Sequence, residues 1–137
     1  MRNIEALDDL DIPDDYRECI SEYINNLSSF PFISRVILFG SCARESVERL
    51  SDIDIFVTAN RDITEDEEIS ITAYCYPEYA VGKIPMDIIV QPENIFIKYI
   101  NKLGMVQQQV NKYGVDLSGL LHQRSKQRAG SNYSFQG

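Results

Sequence analysis

The chain has 137 residues, 44% of them hydrophobic and 25% charged, enough for one packed core and too few for two comfortable domains. Its 21 acidic residues outnumber 13 basic ones for a net charge of −8, which excludes a general nucleic-acid-binding surface, because neutralising phosphates needs clustered Lys and Arg. No apolar run approaches the ~20 residues that span a bilayer. Three cysteines (Cys19, Cys42, Cys75) without a CxxC pair or a secretory signal point to a reducing cytoplasm.

Acidic residues crowd the start of the chain (Glu5, Asp8, Asp9, Asp11, Asp14, Asp15), and basic ones gather as Arg124, Lys126 and Arg128; both runs read as solvated faces or tails. Asp14 is placed to cap a helix whose apolar positions Tyr16, Ile20, Tyr23, Ile24 and Leu27 follow the spacing of an amphipathic face, ending near Ser28-Ser29-Phe30-Pro31. Residues 33–39 are rich in β-branched and aromatic types. Their run Val36-Ile37-Leu38-Phe39 is apolar on both faces, as in a central covered strand. Gly40-Ser41 turns the chain, residues 42–50 hold at most a short helix, and a second strand runs from Ser51 through Val57. Thr64 followed by Glu67 is a capping-box pattern that starts a helix toward Tyr76, where Pro77 stops it. A third strand, Pro85 to Val90, is opened by Gly82 and Pro85, is closed by Pro92 and is expected to bury Asp87 among apolar neighbours. A short helix over 93–102, a helical segment over 105–113 and a last strand over 114–117 complete the pattern. Strands alternating with helices make an α/β sandwich, here a small mixed sheet flanked by helices. Residues 1–128 are expected to form this single domain. The stretch 129–137, small, polar and ending Phe-Gln-Gly, reads as a tag scar or a flexible tail.

The chemistry must come from carboxylates, since His122 is the only histidine and a His-based zinc site is not expected. Asp52 and Asp54 sit two residues apart, so on a strand both project from one face while Ile53, Ile55 and Val57 point to the other. Two like charges side by side call for a cation, and Asp87 adds a third carboxylate if its strand lies beside theirs. Mg²⁺ suits such hard oxygen ligands together with substrate phosphates. The ten residues between Ser41 and Asp52 let the chain turn and return, which puts the Gly40-Ser41 turn at the edge of the same sheet. Amides around Gly40, Ser41 and Cys42, with the Ser41 hydroxyl, can then cradle an anion. A phosphate cradle beside a carboxylate-bound metal describes a nucleoside triphosphate site. Cys42 reads as a packing residue beside it. Tyr74, Tyr76 and Tyr79, which flank Pro77, read as core or rim packing, with stacking on a base as the alternative.

The run Gly40-Ser41, ten residues, Asp52-Ile53-Asp54 resembles the signature of the minimal nucleotidyltransferases of the polymerase-β-like superfamily, and Ala43-Arg44, Ser51 and the Met-Asp-Ile-Ile-Val segment around Asp87 match the family's form over roughly residues 12–117. The resemblance implies that Asp52 and Asp54 bind two Mg²⁺ ions, the second arriving with the triphosphate. It further implies that Asp87 completes the catalytic metal site and helps deprotonate the attacking hydroxyl. Gly40 and Ser41 would hold the β- and γ-phosphates of ATP, and Arg44 would neutralise phosphate charge or form an ion pair with a nearby Glu. One departure is visible: many relatives have Gly where Glu45 stands. Nucleotidyl transfer also needs a positioned acceptor, and this chain has no room for the added helical domain of antibiotic-modifying relatives. The acceptor is then expected from a partner protein, from a second subunit in a homo- or hetero-oligomer, or at a shallow site. Small relatives of this kind are antitoxins that transfer AMP to a tyrosine of a HEPN-domain toxin, which makes that the leading expectation. A small-molecule acceptor such as an aminoglycoside and a non-catalytic binding antitoxin are the alternatives.

Overall fold

Five strands form one sheet in the order β1-β5-β2-β3-β4 in a computed structural model that describes residues 1–121. In chain order these are β1 (Arg2–Asn3), α1 (Asp14–Leu27), β2 (Ile33–Phe39), α2 (Gly40–Ala43), β3 (Ile53–Ala59), α3 (Glu65–Cys75), β4 (Met86–Pro92), α4 (Glu93–Tyr99), α5 (Val106–Tyr113) and β5 (Val115–Asp116), with 3-10 turns at Leu7–Asp9 and Glu78–Ala80. The sheet is mixed: β2 pairs antiparallel with β3 and β5, whereas β3–β4 and β1–β5 are parallel. The parallel β3–β4 pair needs a crossover, which α3 supplies. The fold is thus the small mixed α/β sheet expected. The tail at 129–137, the basic residues Arg124, Lys126 and Arg128, and His122 lie outside the described residues.

Alternation along the strands divides the apolar residues between two faces. Val36, Leu38, Ile53, Ile55, Val57 and Val90 join the buried face of α1 (Tyr16, Cys19, Ile20, Tyr23, Ile24, Leu27) and Ile71 and Cys75 of α3 in the main core. Ile37 and Phe56 turn the other way, onto Phe96 of α4 and Val110 of α5. Each such side chain stabilises the fold by about 1.5–3 kcal/mol relative to exposure. β2, paired on both sides and covered on both faces, is the central strand its composition announces.

Four expectations need correction. Pro13, rather than Asp14, stands at the N-cap of α1; Asp14 is its first helical residue and pairs with Arg17 one turn on. The short helix after the turn occupies Gly40–Ala43, earlier than residues 42–50, and the remainder of that span is loop. β3 begins at Ile53, which leaves Asp52 just outside it. Asp87 is exposed, because β4 is the edge strand. The capping box holds: the Thr64 side chain accepts from the Glu67 N–H while the Glu67 carboxylate accepts from the Thr64 N–H.

Candidate active site

The site lies where three strand ends meet. The register sets Asp54 beside Asp87 across the parallel β3–β4 pair and opposite Phe39 on β2, and the residue after Phe39 is Gly40. Gly40 has φ +70°, a left-handed conformation that favours glycine, and a Cβ there would fall 2.1 Å from Asp54 Oδ2. No larger residue fits between the turn and the carboxylate. Asp54 projects from the face opposite Ile53 and Ile55, which are buried in the main core.

The site is electrically uncompensated. Burial first, then the nearby Asp87 and Asp52 charges, push the Asp54 carboxyl above its ordinary value, and Arg44 opposes them. None of the ion pairs among the described residues includes Asp52, Asp54 or Asp87. Nor do any three His, Cys, Asp or Glu side chains among them stand in an arrangement ready to hold a metal ion. What the fold supplies is a donor set of three carboxylates, one half-buried and two exposed, with a side-chain-free turn against the most buried of them. Hard oxygen donors of this type suit Mg²⁺ by their chemistry. Arg44 follows α2 and acts on Asp54 rather than pairing with a neighbouring Glu.

Three further residues hold the loop between the turn and Asp52; sequence reasoning read Cys42 as packing, which holds, and did not foresee the roles of Tyr16 and Glu45 there. The Tyr16 hydroxyl donates to the Ser51 carbonyl at 2.6 Å, next to Asp52. The Cys42 thiol, fully buried, lies 3.7 Å from the Asp52 carbonyl oxygen, and burial, with Asp54 adding, pushes it up to about 12, so it packs rather than reacts. Glu45 has φ +57° and accepts a 2.6 Å hydrogen bond from the Asp11 N–H while pairing with Arg2 at 3.4 Å. The signal for Glu45 was its occupation of a position usually held by Gly: the backbone keeps the left-handed turn, and the side chain ties it to the N-terminal segment. Tyr74 stacks edge-on against Phe30, Tyr79 lies against Lys83, and Tyr76 packs on the main core, in keeping with rim packing.

A model of the family described as polymerase beta, nucleotidyltransferase matches residues 20–103, a span that contains Gly40, Ser41, Asp52, Asp54 and Asp87. No curated protein matches the chain. Among solved structures, a crystal structure of "the toxin-antitoxin with AMP-PNP" superposes with a TM-score of 0.51 at 20% identity, covering 84% of this chain and 83% of that one, a likeness of fold.

Proposed function

The chain belongs to the polymerase beta nucleotidyltransferase family, and from that premise we propose that it is a Mg²⁺-dependent adenylyltransferase of the cytoplasm that moves AMP from ATP to a tyrosine hydroxyl of a HEPN-type toxin partner, and so acts as an antitoxin. The observation that carries the reading is the placement of Asp54 between Asp87 and Gly40, in no ion pair among the described residues and with the Arg44 charge outweighed by burial and by Asp87 and Asp52. The similar fold of a toxin–antitoxin structure holding AMP-PNP supports the donor and the kind of partner. Three free, buried cysteines accord with a reducing compartment, and no helix among the described residues is long and apolar enough to cross a membrane.

In this reading Asp52, Asp54 and Asp87 hold two Mg²⁺ ions. When bound, these would neutralise charge on the triphosphate and lower the pKa of the attacking hydroxyl. Gly40 leaves the backbone open to the β- and γ-phosphates, the Ser41 hydroxyl donates to them, and Arg44 offsets their charge. Asp87, the exposed carboxylate on the edge strand, takes the proton of the tyrosine hydroxyl as its oxygen bonds to the α-phosphorus. The bond from that phosphorus to the bridging oxygen breaks, and pyrophosphate leaves. The test incubates the protein with Mg²⁺, α-labelled ATP and a HEPN-type toxin. Label should appear on the toxin, and Asp52→Asn should reduce transfer by about 100-fold or more. Equal transfer by both proteins would refute the site. Absence of transfer together with no rise in melting temperature in Mg-ATP would refute the enzyme.

A further inference from the structure

β4 is the edge of the sheet and is paired on one side only. The Ile53 N–H donates to the Pro85 carbonyl. With the parallel register, Asp87, Ile89 and Gln91 therefore bond to β3, and Ile88 and Val90 turn their N–H and C=O groups outward. Among the described residues no backbone hydrogen bond reaches those outward groups. Protected edges carry Lys, an internal Pro or a bulge. β4 has none of these, since its register is unbroken and its one proline, Pro92, is the last residue.

Alongside runs a groove of about 610 Å³ between the strand and α3, lined by Glu68, Ile69, Thr72, Tyr76, Ile88 and Val90 among others. α3 is apolar beyond what the core uses. Ile71 and Cys75 are buried in the core, whereas Ile69, on the groove side, is 62% exposed. The acidic group of the groove is Glu68, to whose charge Glu65, one turn earlier on α3, adds; Asp66 and Glu67 face Arg61 and Phe32 on the other side of the helix. Glu68, half-buried in the groove wall, has no ion-pair partner among the described residues.

We propose that the β4 edge and its groove dock an extended segment of a partner protein, which adds to the sheet as a sixth strand and turns to the groove apolar side chains beside Ile88 and Val90 and a basic one beside Glu68. Charge selects this occupant over a second copy. Each copy carries a net −8 and the same Glu68, so self-pairing sets acid against acid, whereas a basic segment is attracted. The docking is independent of whether the site at Asp54 transfers nucleotides, although a strand added here would run past Asp87.

The test uses an eight-residue strand-forming peptide whose groove-facing positions carry Ile, Val and one Lys, a counterpart with Glu in place of that Lys, and the full chain, read by fluorescence anisotropy and by hydrogen exchange. The Lys peptide should bind about tenfold tighter than the Glu peptide and slow exchange at the Ile88 and Val90 amides. Glu68→Lys, outside the Thr64–Glu67 cap, should reverse the preference. Ile88→Pro, at a position whose N–H takes no part in pairing with β3, should abolish binding. Equal binding of the two peptides, or binding that leaves those amides unprotected, would overturn the proposal. So would protection of the amides in the protein alone with a dimer mass by light scattering, which would make a second copy the occupant.

Discussion

One face of this sheet holds carboxylates at both ends, and the two ends treat them oppositely. At one end Glu93, the first residue of α4, accepts hydrogen bonds from the Ser34 hydroxyl at 2.7 Å, the Thr58 hydroxyl at 3.0 Å and Arg35 Nε at 3.3 Å. Burial raises its pKa, and these hydrogen bonds with the Arg35 charge outweigh that and hold the carboxyl below its ordinary value. At the other end, four residues earlier on β3 than Thr58, burial and then the Asp87 and Asp52 charges push the Asp54 pKa up, and Arg44 only partly opposes them. Between them Ile37, Phe56, Phe96 and Val110 form a dry apolar layer. The contrast separates a carboxylate whose compensation is built into the fold from one whose compensation must come from outside it.

Neutralising each carboxylate in turn breaks the comparison open. Asp54→Asn should reduce label transfer by about 100- to 1000-fold while leaving the melting temperature unchanged or higher, because it removes a charge that two neighbours repel. A loss of activity matched by a large drop in stability would mean that Asp54 is structural after all. Titrating Mg-ATP into both proteins separates the outcomes further, since only the wild type should gain stability.

Glu93→Gln should do the reverse. It replaces a charged acceptor by a weaker one and leaves Arg35 without its pair, at a cost of about 2 kcal/mol. Melting temperature should fall by about 6–10 °C, with transfer by the folded fraction retained. The pH dependence follows from the direction of the shift. The Glu93 contribution is complete above the ordinary glutamate pKa and is lost as pH falls through the lowered folded-state value. Urea melts from about pH 6 down to about pH 3 should show a shallower acid limb for Glu93→Gln than for the wild type. Parallel limbs would place the native acid sensitivity elsewhere.

The active end was readable in advance where the information is local, and the other end was not. Gly40-Ser41, the alternation of Asp54 with Ile53 and Ile55, and the Thr64–Glu67 cap are patterns of a few residues whose geometry follows from strand period and capping chemistry. That β4 lies beside β3 in the register Asp54–Asp87 depends on a crossover. That β4 is an edge, which exposes Asp87, depends on what fails to pair with it. Neither is encoded in Met-Asp-Ile-Ile-Val. The two-residue β1 exists only through its pairing with Val115 and Asp116, more than 100 residues away. The Glu93 cluster joins three strand or helix ends whose residues are 24 to 59 positions apart, and its only local trace was a Glu directly after Pro92.

Glu45 is a third kind of carboxylate, and the smallest expected effect tests it. Its backbone sits at φ +57°, where a side chain costs about 1–2 kcal/mol relative to glycine, yet its carboxylate satisfies the Asp11 N–H and meets Arg2. The two contributions oppose each other, and paired substitutions resolve them. Glu45→Ala removes the hydrogen bond and keeps the strain, so it should lose about 1 kcal/mol. Glu45→Gly removes both and should come out close to the wild type, about 1 kcal/mol more stable than the alanine variant in urea melts. If alanine and glycine were equally stable, the turn would carry no strain. The side-chain tie would then be all that distinguishes this chain from relatives with glycine there. If glycine were much more stable than the wild type, the tie to the N-terminal segment would be worth little. The loop leading to Asp52 would then be held by Tyr16, Cys42 and its own turns at Ser46 and Ser51.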